Sequence, residues 1–198
     1  MNINNRKKKP IIIFTGPSGV GKGTIEQILF KNEDLKFKLS VSATTRKPRT
    51  GEIDGVHYFF ISKEDFEQKI ANNELLEYNF HFDNYYGTLL SEIDNIHKDN
   101  KIPFLEIETL GTKKILENKE NLNKYNIITV FILPPSFDEL KNRIIGRNTE
   151  TKDSIDQRLQ KASHELADRH IFKYNVVNDD PYRAAEEIKE LLLKELHE

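Results

Sequence analysis

The chain contains no cysteine, no tryptophan and a single methionine among its 198 residues. The absence of cysteine excludes disulfides, thiolate metal sites and cysteine nucleophiles, and it is compatible with a reducing compartment. Long apolar runs are missing as well. Nothing approaches the ~20 consecutive apolar residues of a membrane span, and the first residues lack the apolar core of a secretory signal. Charge of one sign is not in excess either, with 30 basic residues against 32 acidic ones and a sequence pI near 6.3. That balance gives no global attraction to nucleic acid or to an anionic membrane, so any basic patch must be local. The expectation is a soluble, cytoplasmic protein with no nucleic-acid or membrane partner and no obligate protein partner.

The length suits one domain, or one domain with inserted lobes, and suffices to bury a core. Residues 1–9 are polar and end in Arg6-Lys7-Lys8-Lys9. Such a run reads as a flexible basic tail, with a nuclear address or an acidic partner as the alternative use. Beyond it, β-rich apolar runs at 11–14, 103–107, 127–133 and 174–177 alternate with helical patterns at 137–147, 154–170 and 181–197. Pro181 suits the first turn of the last helix. This alternation predicts an α/β fold in which helices cover a parallel sheet and ligand binds beyond the carboxyl ends of the strands. Residues 39–90 break the pattern with short aromatic runs around one helix, for which Ser62 and Asp65 form a capping signal; they read as an inserted, mainly β lobe. The polar stretch 146–153 between two helical patterns reads as a lid.

The most specific local signal is Gly16-Pro17-Ser18-Gly19-Val20-Gly21-Lys22-Gly23-Thr24. It matches the phosphate-loop spacing G-x-x-x-x-G-K-S/T up to the lysine, between a strand and a helix, where backbone N–H groups cradle phosphates and the lysine reaches the β/γ-phosphates. This predicts binding of a nucleoside triphosphate through Ser18, Gly19, Val20, Gly21, Lys22, Gly23 and Thr24. The hydroxyl that normally meets Mg²⁺ is absent at Gly23. Either Thr24 takes its place or the metal is held through water and phosphate alone.

Phosphoryl transfer needs positive charge around the moving group, and arginines cluster accordingly. Arg46 and Arg49 flank Lys47-Pro48, while Arg143, Arg147 and Arg158 bracket the lid. Arg143 and Arg147 fall on one helical face and point either to phosphates or to solvent. Arg46 and Arg49 lie in a hydroxyl-rich, proline-stiffened loop, Ser40-Val41-Ser42-Ala43-Thr44-Thr45-Arg46-Lys47-Pro48-Arg49, that suits a phosphate monoester. Together with Gly51-Glu52, Asp54-Gly55-Val56-His57-Tyr58, Asn84-Tyr85-Tyr86-Gly87-Thr88, Pro134-Pro135-Ser136, the stretch 146–151 and Val177-Asn178-Asp179-Asp180, this order and spacing resembles the guanylate kinase family from about residue 11 to the C-terminus.

The resemblance implies a P-loop NTPase core (about 10–38, 89–142 and 171–198), a GMP-binding lobe (about 39–88) and a helical lid (about 143–170). It implies transfer of the γ-phosphoryl group of MgATP to GMP, giving ADP and GDP, with lobe and lid closing over the substrates. By the same resemblance Arg46, Arg49, Tyr58 and Tyr86 hold the GMP phosphate, and Ser42, Glu77, Gly87, Thr88 and Glu108 belong to the GMP site. Lys22, Arg46, Arg49, Arg143, Arg147 and Arg158 carry the catalytic charge, and Asn178 lies near the adenine. A carboxylate such as Glu77 accepts from guanine N1–H and N2–H₂, and hydroxyls at Ser42 and Thr88 donate to O6, whereas adenine offers the opposite pattern. Asn178 also reads as a turn former after the last strand.

Five positions depart from the family pattern. Gly23 stands where serine is usual, as in the phosphate loop of adenylate kinases, and implies weaker direct Mg²⁺ ligation and lower catalytic efficiency. Glu106 and Glu108 replace two aspartates, Leu110 replaces a glutamine and Asn148 a lid glycine. Two further readings compete: a non-catalytic, guanylate-kinase-like protein-binding module, and a kinase for a different nucleoside monophosphate.

Overall fold

The computed structural model describes residues 8–146 and 152–197. A five-stranded sheet is built from β1 (Lys9–Thr15), β2 (Phe37–Leu39), β7 (Ile102–Glu106), β8 (Tyr125–Leu133) and β9 (Tyr174–Val177) in the order β2-β7-β1-β8-β9. A four-stranded sheet, in the order β4-β3-β6-β5, is made by β3 (Ala43–Thr44), β4 (Phe59–Phe60), β5 (Leu75–His81) and β6 (Asn84–Leu89). The helices are α1 (Lys22–Phe30), α2 (Lys63–Ala71), α3 (Leu90–Lys98), α4 (Thr109–Glu117), α5 (Lys119–Lys124), α6 (Phe137–Ile145), α7 (Lys152–Ala167) and α8 (Pro181–His197). Neighbours in the larger sheet are distant in sequence, as parallel pairing through helical crossovers requires. The fold is α/β with a parallel central sheet, and among the described residues no helix is long and apolar enough to cross a membrane.

The core strands follow the predicted runs, with bounds that differ by one or two residues, and β9 and α8 occupy the predicted spans. The start of α8 is locally determined. Asp180 Oδ1 accepts from the backbone N–H groups of Tyr182 and Arg183, both at 2.9 Å, and Pro181 supplies a preset φ at the first helical position, where no N–H is needed. The helix predicted over 154–170 starts at Lys152 and ends at Ala167, and Asp168–Ile171 tightens into a 3₁₀ turn, a common ending for an α-helix. The short strand β2, with Lys38 at its centre, has no sequence signal of its own.

The chain divides into two compact units. The second comprises Ile12–Phe37, Ile107–Thr109 and Ile128–Glu198. In it, Ile12, Ile13, Phe14, Val130, Phe131 and Ile132 are completely buried on β1 and β8. The parallel register Val130↔Tyr174 to Leu133↔Val177 joins β9 to β8, and α8 buries Ala184, Ala185, Ile188 and Leu192. These wholly apolar runs are what a strand covered on both faces demands.

The first unit comprises Met1–Ile11, Lys38–Glu106 and Leu110–Ile127. Its antiparallel β5–β6 pairing sets Glu77 opposite Thr88, Tyr78 opposite Gly87 and Asn79 opposite Tyr86, with a bulge between Leu75 and Glu77. Strand alternation therefore puts Glu77, Asn79, Tyr86 and Thr88 on one face and Tyr78, Tyr85, Gly87 and Leu89 on the other. The second face packs on α2, where buried Phe66 meets Ala43 and Leu89 and stacks on Tyr85 at a 5.0 Å centroid separation. Ser62 caps α2 by accepting from Asp65 N–H at 3.0 Å. Packing of one face on α2 puts the polar side chains on the opposite face.

Candidate functional site

Within the second unit, β1 delivers the chain into the glycine-rich loop and α1 leaves it at Lys22. Gly21 precedes α1 in a left-handed conformation, φ 99° and ψ 21°, and no side chain caps the helix. The helix dipole therefore favours an anion at this end. Lys22 Nζ donates to Gly16 O at 2.8 Å, which holds the ammonium over the loop. Ser18 and Gly19 are half-buried, Val20 is buried, and Gly23 and Thr24 are exposed in the first turn.

Two side chains brace this loop from below. Asn178 follows β9, is 4% exposed, and donates through Nδ2 to Val20 O at 2.7 Å, while its backbone N–H donates to Leu133 O at 2.8 Å. Arg143 on α6 donates to the same Val20 carbonyl at 3.2 Å and to Asn178 O at 3.3 Å, and it pairs with Glu139. Of the two readings of Asn178, the turn after the last strand is visible here, and the side chain reaches back to shape the phosphate loop. Glu108 Oε1 accepts from Lys161 Nζ at 2.5 Å. On the same helix α7, burial pushes the Glu165 carboxyl above its usual range; the nearby Glu108 charge adds to this, while Lys161 and Lys22 oppose it. Arg158 is half-buried on α7, and Arg147 lies outside the described residues, as does Asn148.

The first unit carries a second constellation. Arg46 makes a bidentate pair with Glu52, Nη1 to Oε2 and Nη2 to Oε1, both at 2.9 Å, and Glu52 also accepts from Arg49 N–H at 2.7 Å. These donors hold the Glu52 carboxyl down at about 2, and the same contact raises the Arg46 guanidinium. Arg46 lies 5.4 Å from the Tyr58 ring centroid and 5.7 Å from that of Phe60. Tyr58 meets Tyr86 edge-on at 6.2 Å, and burial raises the Tyr58 hydroxyl. Arg49 is exposed and Ser42 half-buried, with Ser42 O accepting from Phe59 N–H at 2.9 Å. Arg46, Tyr58 and Tyr86 thus lie together, and Glu52 holds Arg46 and the Arg49 backbone.

Glu77 and Thr88 are buried, at 7% and 1% exposure. Thr88 Oγ1 donates to Glu77 Oε1 at 2.9 Å, and Asn79 Nδ2 donates to Oε2 at 3.3 Å. Gly87 lies directly behind this pair, since a Cβ there would come within 2.7 Å of Glu77 O. Asn79 and Gly111 escape sequence reasoning. The i, i+2 spacing from Glu77 to Asn79 was the available signal for the first, but a polar residue alternating on a strand reads equally well as a solvent face; nothing local marks Gly111. Glu106 is exposed and contributes to the field at Tyr58.

A buried carboxylate held as a hydrogen-bond acceptor, an arginine-tyrosine anion site and a lysine-bearing phosphate loop are the parts a nucleotide phosphotransferase uses. The guanylate kinase family profile matches residues 7–195. The chain is 57% identical over 190 residues to the guanylate kinase of Mycoplasmopsis pulmonis (strain UAB CTIP), covering 96% of this chain and 97% of that one. It is 56% identical over 194 residues to that of Mycoplasmopsis synoviae (strain 53), covering 97% and 98%. The crystal structure of guanylate kinase from Anaplasma phagocytophilum superposes with a TM-score of 0.71 at 26% identity, covering 95% of this chain and 86% of that one. With the motifs in order along the chain and the match running nearly end to end, the chain belongs to the guanylate kinase family.

Proposed function

We propose that this protein transfers the γ-phosphoryl group of ATP to GMP, giving ADP and GDP, and that its two constellations divide the work. The observation that carries the acceptor's identity is the buried Glu77 carboxylate, 7% exposed and approached by a donor on each oxygen. As an acceptor, this carboxylate matches the donors guanine N1–H and N2–H₂. An adenine there would present an acceptor to an acceptor and leave buried polar groups unpaired, which is the strong form of discrimination. Ser42, Gly87 and Glu108 complete the GMP site in this reading, with Arg46, Arg49, Tyr58 and Tyr86 on its phosphate. Glu52 holds Arg46 in a fixed fork, so part of the cost of ordering that long side chain is met before substrate arrives.

The loop 16–24, with Lys22, cradles the ATP phosphates, and Arg143, Arg147 and Arg158 neutralise charge on the transferring group. Asn178 serves this end by shaping the loop at Val20, with adenine as its neighbour in the family pattern. The residue that fits Mg²⁺ is Thr24, a hydroxyl exposed in the first turn of α1. When bound with ATP, Mg²⁺ supplies charge neutralisation between the phosphates. Gly23 has only open space where a Cβ would project, so the missing hydroxyl reflects no steric demand. We assign the core to about 10–38, 89–142 and 171–198, the GMP lobe to about 39–88 and the lid to about 143–170, in a cytoplasmic enzyme acting on small molecules.

A non-catalytic binding module has little support, because Lys22 and the loop glycines are retained. The test is nucleoside-diphosphate production from MgATP with GMP, AMP, CMP or UMP, alongside Lys22→Ala. GDP from GMP alone, lost in the variant, is the expected result; product from another monophosphate, or none from any, would refute the reading.

A further inference from the structure

Glu77 stands on β5 with a carboxylate whose terminal torsion is intrinsically soft, since a terminal sp³–sp² bond has broad, two-fold wells. Recognition of two donors on one edge of a base needs that plane fixed, because hydrogen bonds weaken steeply with misalignment. Thr88 Oγ1 from β6 donates to Oε1 at 2.9 Å, and Asn79 Nδ2 from β5 itself donates to Oε2 at 3.3 Å. Strand alternation brings Asn79 to the same face two residues on, and the register sets Thr88 directly opposite Glu77. The backbone of α4 also comes close to Oε2. A Cβ on Gly111 would lie 2.8 Å from Glu77 Oε2 and 3.5 Å from Asn79 Nδ2, so only glycine lets α4 approach this closely. Asn79 Oδ1 is buried and finds no hydrogen-bond partner among the described residues. Its amide is therefore spent on Glu77 at the expense of its own acceptor.

We propose that Asn79 is a positioning residue for guanine recognition, fixing with Thr88 the plane of the Glu77 carboxylate that meets the base. The inference rests on GMP being the acceptor, which turnover of GMP by the wild-type enzyme tests separately. Both donors bind an anion, where a hydrogen bond counts for more than between neutral groups. Both act on the carboxylate assigned to GMP, so the effect falls on one substrate.

The experiment compares Asn79→Ala and Asn79→Asp, measuring kcat, both KM values and the thermal midpoint. Asn79→Ala removes one donor and is expected to raise the GMP KM about tenfold, leaving the ATP KM unchanged within about twofold. Asn79→Asp keeps the shape but sets a negative oxygen against Glu77 Oε2, and like charges at that range repel; it is expected to raise the GMP KM further than alanine does. A packing role gives the reverse order, since the isosteric aspartate would then be mild and alanine severe. That reverse order, parallel movement of both KM values, or silence of both variants overturns the proposal. Thr88→Val supplies a second arm should an Asn79 variant be unstable: it is expected to raise the GMP KM similarly, and no change in GMP KM also overturns it. Absence of GMP turnover in the wild type would refute the underlying reading instead.

Discussion

Alanine at Gly21 and alanine at Gly23 should act in opposite directions, although the two glycines sit two residues apart in one loop. Gly21 has φ 99° and ψ 21°, a left-handed conformation that costs an L-residue about 1–2 kcal/mol. A Cβ there would also stand 2.4 Å from Asn178 Nδ2, far inside contact distance, so the amide must leave. Its 2.7 Å bond to Val20 O then breaks, and a buried polar group losing its partner costs about 1–3 kcal/mol. The sum is about 2–5 kcal/mol, against a total stability of roughly 5–15 kcal/mol. In a chain of this size each kcal/mol moves Tm by about 2–4 °C, so Gly21→Ala should lower Tm by about 4–20 °C while still folding. Arg143, which also donates to Val20 O, holds the loss toward the lower half of that range. Gly23, by contrast, lies in α1 with nothing within 4 Å of a Cβ. Alanine there gains helix propensity, about 0.5–1 kcal/mol, and should raise Tm by a few degrees. Thermal unfolding of the two variants checks the contrast. Asn178→Ala on top of Gly21→Ala should cost much less than it does alone, because the bond is already broken. Equal Tm shifts for the two glycine variants, or full additivity with Asn178→Ala, would refute the reasoning.

Three other outcomes follow from the same geometry. Glu52, held at about 2 by Arg46 and the Arg49 N–H, has a depressed folded pKa, so its stabilisation is complete above the ordinary 4.5 and fades as pH falls toward 2; Glu52→Gln should flatten the loss of stability across that window, and superimposable acid profiles would count against it. Glu165 is pushed up by burial, so its contribution is greatest at acid pH and is lost as pH rises through the raised value; Glu165→Gln should raise Tm at pH 7, with the gain vanishing below about pH 4, and a lower Tm at neutral pH would contradict the direction. Gly23→Ser, which meets no neighbour, should sharpen the Mg²⁺ dependence and raise kcat by a few-fold if a hydroxyl there reaches the metal; unchanged kinetics in a magnesium titration would dismiss the missing hydroxyl as a handicap.

What the sequence determined by itself was local. The strand-loop-helix around Lys22, the span of β9, the capped start of α8 at Asp180-Pro181 and the Ser62 cap of α2 all depend on neighbours a few residues away, where periodicity, proline geometry and side-chain caps act. The motif order carried the family, and with it Glu77, Thr88, Arg46 and Tyr86. Tertiary structure decided what depends on approach through space. The strand order β2-β7-β1-β8-β9 pairs segments far apart in sequence, which no local pattern encodes. Asn178 looked like a turn residue and is one, but the separation of 158 positions from Val20 hid its hold on the phosphate loop. Asn79 and Gly111 lie 32 positions apart, and they converge on one carboxylate only because β5 alternation and the close approach of α4 bring them there. Glycine is required at Gly21 and tolerated at Gly23 for the same reason: the letters are identical, and only the backbone angle and the atoms beyond the missing Cβ tell them apart.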